Sequence, residues 1–202
     1  MLGQMAEWVA TGRPPRGETL RQAGLTAAGD ENAGLLRLAR KAFVRDWGFS
    51  IPSEEAVTAL CALSPLVEIG AGAGYWSALL TAAGADIVAT DAQVSGEIGY
   101  RFRPGHYCEM QPLAASDAVR RFPERNVFCS WPTMGEAWAA DAARQIAPGR
   151  HLALISDGRG GITATDELFD VLAEQFVVSA EVEIPQFPKV NDRLTVYRRT
   201  QA

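Results

Sequence analysis

Histidine and cysteine are scarce in this chain, two of the first and three of the second in 202 residues. His106 and His151 have no neighbour at ligand spacing, and Cys61, Cys108 and Cys129 are odd in number and far apart. Such a set fits neither a disulfide framework nor a metal-ligand pattern; it suits reduced thiols, a cytoplasmic setting and no metal. No apolar run reaches the roughly 18 residues that a membrane helix needs, so no span is expected. An excess of positive charge is also lacking. With 19 Lys and Arg against 24 Asp and Glu the net charge is −5, whereas a nucleic-acid surface needs clustered Lys and Arg. Met1 to Thr11 carry Glu7 and no basic start, so a signal peptide is not expected.

Glycine, in contrast, is present where it matters. Leu66-Val67-Glu68-Ile69 reads as a short buried strand, Gly70, Gly72 and Gly74 follow at alternating positions, and Trp76 to Ala83 reads as a helix. Strand, glycine turn and helix open a doubly wound α/β fold, whose ligands lie beyond the carboxyl ends of the strands. Glycine permits positive φ and lets a ligand approach without meeting a Cβ. A dinucleotide fingerprint wants G-x-G-x-x-G. Here the third glycine comes one residue early, and Tyr75 stands where that pattern needs glycine. Glu68, inside the apolar strand, opposes a pyrophosphate and suits a cation. A nicotinamide oxidoreductase is therefore disfavoured. A glycine turn with no ligand would leave Glu68 buried without a partner, at a cost in free energy.

The second strand, Asp86 to Asp91, ends in a carboxylate placed to accept both hydroxyls of a ribose. From Glu68 through Gly74 to Asp91 the chain resembles the class I S-adenosylmethionine-dependent methyltransferases, whose first motif has the form E/D-x-G-x-G-x-G. The longer run from Ile51 to Ala56 and on through Trp76 is similar to a group of bacterial and fungal methyltransferase-like proteins, a likeness that names no substrate. The resemblance implies a seven-stranded, mostly parallel sheet with an antiparallel C-terminal strand. It also implies S-adenosyl-L-methionine as cofactor, held by Glu68, Gly70, Ala71, Gly72, Gly74, Tyr75, Trp76 and Asp91. Asp117 either reaches the adenine amino group or, like Ser116, caps a helix opened by Ser116-Asp117-Ala118 and ended by Pro123. Trp131 and Pro132 follow the fourth strand, Asn126 to Ser130, where the transferred methyl lies in the resembled family. Trp131 there either walls the pocket or packs under a helix, and an aromatic face near a sulfonium is favourable. Amino-methylating relatives carry D/N/S-P-P-Y/F at this point, to which Ser130-Trp131-Pro132-Thr133 is only loosely similar.

Two parts are expected: a helical extension over residues 1–65, a lid by resemblance, and a cofactor-binding domain over residues 66–202. In the extension, Met1 to Ala10 reads as a short helix, Gly12 to Gly17 as a loop, and Asp30 to about Trp47 as a helix with Leu35, Leu36, Leu38, Phe43 and Trp47 on its apolar face. Ser53, with Glu54 and Glu55 behind it, starts another. Residues 92–106, rich in Gly and Pro, predict an irregular loop where the usual fold has a helix. Tyr107 to Pro112 is a weak strand. Met134 to Ile146 predicts a helix, His151 to Gly158 the fifth strand, Asp166 to Gln175 a helix, and two final apolar runs an antiparallel hairpin.

Methyl transfer is an in-line displacement, so positioning does most of the work, and a base is needed only when the nucleophile starts protonated. Asp157, after the fifth strand, is the first choice as base or orienter, with Trp131 facing the methyl. Glu136, His106 and Tyr107 are further candidates, and His151, at a strand start, reads as structural. The acceptor is expected to be a small molecule or peptide, with no nucleic acid or membrane partner; self-association is left open. The alternative is a methyltransferase-like protein that binds the cofactor, lacks turnover and serves as a regulator or partner subunit.

Overall fold

The computed structural model describes residues 11, 13, 14, 16, 40, 41, 43–93, 105–187 and 189–201. The expected helix at Met1 to Ala10, the cap at Asp30, the apolar positions Leu35 to Leu38 and most of the irregular 92–106 stretch lie outside these residues, as does most of the expected lid.

Seven strands form one sheet: β1 (Leu66–Ile69), β2 (Ile87–Asp91), β3 (Met110–Pro112), β4 (Asn126–Ser130), β5 (His151–Ser156), β6 (Phe176–Glu183) and β7 (Arg193–Arg199). Their spatial order is β3-β2-β1-β4-β5-β7-β6. β7 runs antiparallel to both of its neighbours, and every other pairing is parallel. That is the sheet the resemblance implies. The strand order reverses direction at β1 and β4, so the crevice of this α/β sheet opens beyond Ile69 and Ser130.

Alternation along the central strands divides the core in two. Leu66, Phe128, Ala153 and Ile155 face one side, with Phe43, Trp47, Leu60, Leu79 and Leu80; Val67, Ile69, Val127, Leu152 and Leu154 face the other. The first side is covered by residues 43–46, which are helical, by α1 (Glu54–Cys61) and by α2 (Tyr75–Ala82). The second is covered by α3 (Ala115–Arg121), α4 (Trp138–Gln145) and α5 (Asp166–Gln175). β1 is buried at all four positions, which explains its near-continuous apolar run. Glu68 is the exception that a fold without a ligand does not require.

Ser53 caps α1, its hydroxyl accepting the Ala56 N–H at 3.3 Å, with Glu54 and Glu55 in the first turn where the helix dipole favours them. Two expected elements differ. α4 begins at Trp138, not Met134, because Pro132 and Gly135, at φ 78°, keep residues 131–137 in turns. Only Met110 to Pro112 pair as β3, because the residues before them turn back to the glycine loop, where the Tyr107 N–H donates to the Ala73 carbonyl. Among the described residues no helix is long and apolar enough to cross a membrane.

Candidate functional site

The three glycines all adopt positive φ: 65° at Gly70, 58° at Gly72 and 75° at Gly74. An L side chain in this region costs roughly 1–2 kcal/mol per residue, which accounts for glycine at alternating positions. Space is short as well. A Cβ on Gly70 would lie 2.8 Å from the Trp138 ring, and one on Gly74 would lie 2.7 Å from Cys108 Sγ. The turn is tied to β2, with the Ala71 N–H donating to the Thr90 carbonyl at 3.0 Å and the Gly72 N–H to Asp91 Oδ2 at 2.9 Å. Asp91 Oδ1 accepts the Gln93 N–H at 2.8 Å. Glu68 and Asp91 thus flank one glycine turn at the ends of adjacent strands.

Glu68 is 2% exposed, and its Oε2 accepts the Ser77 hydroxyl at 2.5 Å. Burial pushes its carboxyl up to about 8, the Ser77 hydrogen bond working against that and the Asp91 charge adding to it. Among the described residues no Lys, Arg or His pairs with it. An uncompensated buried carboxyl is costly, and a cationic ligand group is the natural complement. Tyr75 and Trp76 start α2 at the mouth of the turn, yet their side chains belong to the core, at 2% and 4% exposure. The Trp76 Nε1–H donates to Ser50 Oγ at 2.9 Å and its ring meets Phe128 edge-on at 5.6 Å. The Tyr75 hydroxyl is buried without a partner.

Asp117 lies apart. It is in the first turn of α3, whose N-cap is Ala114 without a side-chain hydrogen bond, so neither Ser116 nor Asp117 caps the helix. The Asp117 carboxylate pairs at 2.5 Å with Arg120 and is 57% exposed.

At the end of β4, Trp131 takes φ 57°, a conformation rare for a bulky residue. Its N–H donates to the Ile155 carbonyl, and the Pro132 carbonyl accepts the Ala164 N–H. The indole stacks on Phe49 at 5.0 Å, the Arg40 guanidinium lies 5.3 Å from its ring centre, and its Nε1–H donates to Asp192 Oδ2 at 2.8 Å. Ser130 Oγ meets Ser50 Oγ at 2.8 Å.

Asp157, just beyond β5, spends its carboxylate on the backbone. Oδ1 accepts the Asn191 N–H at 2.5 Å and Oδ2 the Ile162 N–H at 3.2 Å, which ties the loop before β7 to the loop after β5. Glu136 and His106 are exposed, and the Tyr107 hydroxyl donates to the Asp46 carbonyl. His151 starts β5, at the far end of the sheet. Burial first, then Arg198 and Arg150, hold its ring below the usual value.

The structure therefore gathers Glu68, the glycine turn and Asp91 at one end of the crevice and Trp131 with Asp157 at the other. Reading the sequence alone misses Ser50, Trp138, Arg40 and Asp192. Each meets a site residue far away in sequence, Ser50 at Ser130, Trp138 at Gly70, Arg40 and Asp192 at Trp131, and none belongs to a motif. Only the clustering of Trp and Phe around residues 43–49 gave any signal for that face.

No protein-family model matches the sequence, and no curated protein matches it. Among solved structures, the chain is similar to the 1,6-didemethyltoxoflavin-N1-methyltransferase of Burkholderia thailandensis, with 18% identity, 87% of this chain and 92% of that one covered, and a TM-score of 0.48. It is likewise similar to the magnesium protoporphyrin IX methyltransferase of Synechocystis PCC 6803 with bound SAM, at 15% identity, 86% coverage of each chain and a TM-score of 0.48. A third is the N-methyltransferase NodS of Bradyrhizobium japonicum WM9 with S-adenosyl-l-homocysteine, at 17% identity, 85% and 100% coverage and a TM-score of 0.47. All three are methyltransferases. The sheet itself, seven strands with β7 alone antiparallel to its neighbours, is of the form that the resemblance in the sequence implies.

Proposed function

We propose that this protein transfers a methyl group from S-adenosyl-L-methionine to a small-molecule or peptide acceptor. The observation that carries the reading is Glu68, a buried carboxyl with one neutral donor and, among the described residues, no cation, set beside a turn of three positive-φ glycines at the reversal point of the sheet. The cofactor's ammonium complements that carboxylate, and its ribose hydroxyls suit Asp91, whose oxygens each accept one backbone N–H and keep further acceptor capacity. The bound cofactor supplies an electrophilic methyl on a sulfonium. The chain's own part is to orient it and to exclude water under the aromatic groups of residues 43–49. That cover is the described portion of the candidate lid over residues 1–65.

The acceptor approaches from the β4 and β5 ends, where Trp131, Phe49 and Ser130 stand. The geometry gives Asp157 a loop-fastening role. That observation favours the second reading, a cofactor-binding regulator or partner subunit without turnover.

Calorimetric titration with S-adenosylmethionine, S-adenosylhomocysteine and NAD tests the cofactor, alongside Glu68→Ala and Asp91→Ala. Micromolar binding of both adenosyl ligands, lost in the two variants, is expected; binding of NAD alone overturns the reading. Transfer of a labelled methyl group into fractions of a small-molecule extract separates an enzyme from a regulator.

A further inference from the structure

Asp192 is 1% exposed, in the loop between β6 and β7, and three hydrogen bonds fix it and the residue before it. Asp157 holds the N–H of the preceding residue, Asn191. Gln186 Nε2 donates to the Asp192 carbonyl at 2.9 Å, and Trp131 Nε1 donates to Oδ2. Its other oxygen, Oδ1, is buried with no partner.

A fold that needed only an acceptor for the Trp131 indole would be served by asparagine, which has the same shape and no charge to bury. The chain keeps an acid, next to a tryptophan held in an unfavourable backbone conformation at the acceptor end of β4. A carboxyl with one orphan buried oxygen, its other oxygen bonded to a residue in a strained backbone conformation, marks a functional site more than a structural one. Two charges face Asp192 from the elements around it. Asp157, from the loop after β5, disfavours its ionisation; Arg40, from the segment over Trp131, favours it. Burial, the largest effect and reinforced by Asp157, outweighs the Trp131 hydrogen bond and Arg40 and brings the carboxyl up to about 7.

We propose that Asp192 is a positioning residue of the acceptor site, one that seats Trp131 at the mouth of β4 through its bond to the indole N–H and whose grip on that indole depends on its state of ionisation. The ionised form makes the shorter, charge-assisted bond to Nε1–H, and the neutral form a weaker one. The proposal rests on the methyltransferase reading for the meaning of the β4 mouth, and its geometry stands apart from the cofactor residues.

The test uses the full chain labelled with 5-fluorotryptophan, its Trp131 signal assigned with Trp131→Phe and followed by fluorine NMR from pH 5 to 9. The wild-type signal is expected to titrate with a midpoint near 7. Asp192→Asn, nearly isosteric, is expected to keep the signal in place and abolish its titration; Asp192→Leu is expected to displace it. Arg40→Met is expected to move the midpoint upward, because a cation that favours the carboxylate is removed. A wild-type signal that ignores pH, a titration that survives in Asp192→Asn, or a signal unmoved in Asp192→Leu overturns the proposal. Should Asp192→Leu fail to fold, the wild-type, Asp192→Asn and Arg40→Met titrations still decide. Titration of the same samples with S-adenosylhomocysteine reads the cofactor proposal separately: absent binding in the wild type sinks that one and leaves the Trp131 result standing.

Discussion

Ser77 donates its hydroxyl to Glu68 Oε2 across 2.5 Å, joining the first turn of α2 to the centre of β1. A hydroxyl donor serves a neutral carboxyl and a carboxylate alike, so the pair is compatible with either state. Burial leaves Glu68 protonated below about 8 in the ligand-free protein. A ligand ammonium seated on it favours the carboxylate, so binding expels a proton. The affinity for S-adenosylhomocysteine should then rise by up to about tenfold per pH unit between pH 6 and 8 and level off above. Calorimetry in buffers of different ionisation enthalpy should register proton release. Glu68→Gln should bind weakly, with a flat profile.

The same carboxyl weighs on stability. Its folded-state value lies above its ordinary 4.5, so between those limits the folded chain holds a proton that the unfolded chain has released. Stability from this group is full below about 4.5, falls as pH rises, and reaches its minimum above about 8. Glu68→Gln, which still accepts from Ser77, should raise the Tm of the ligand-free protein at pH 8 by several degrees, on the order of a few kcal/mol. At pH 4.5 the gain should vanish. Thermal melts at the two pH values check it.

Gly74→Ala should cost about 2–4 kcal/mol, combining positive φ with a Cβ driven against two sulfurs. Cys108 Sγ and Met110 Sδ lie 2.7 and 2.9 Å from that Cβ. Adding Cys108→Ala should recover part of the loss and leave the backbone share, which urea midpoints can apportion.

Asp157→Asn should lower stability by about 1–3 kcal/mol, since an amide NH2, which cannot accept, replaces one of the two carboxylate oxygens that receive backbone N–H groups. Proteolysis should become faster in the loop around Gly158 and Gly160. An unchanged urea midpoint would contradict the fastening role.

Phe43→Ala should cost about 3–5 kcal/mol. The ring is 0% exposed and meets Phe187 edge-on at 5.3 Å, so its loss uncouples the segment over Trp131 from the β6–β7 loop. Faster cleavage near residues 40–50 is the accompanying sign.

Much of this was legible in the chain because the signals are local. Glu68 to Gly74 encode a strand, a turn and a helix start within a dozen residues, and Asp91 ends an unmistakable apolar run. The Ser53 cap and the final hairpin follow from the same short-range rules. What was not legible is made by packing across the sequence. Asp192 lies 61 positions from Trp131, and Ser50 lies 80 from Ser130; nothing in a lone Asp or Ser announces such a meeting. The positive φ of Trp131 runs against its residue type, and the chain from Met134 to Ala137 reads as helix until the turns around Gly135 are seen. Asp117 stands in the first turn of α3, where the sequence puts it, and its exposed carboxylate pairs with Arg120 three residues on.

β7 is the last strand in the sequence, yet it lies between β5 and β6. During synthesis β1, β2, β4 and β5 can pair in order of emergence, while the free edge of β5 and the whole of β6 wait for Arg193 to Arg199. Until those residues leave the ribosome, the facing edges of β5 and β6 stand open to any neighbouring chain. A stalled or prematurely stopped product lacking this one strand would therefore retain the glycine turn and lose the acceptor end.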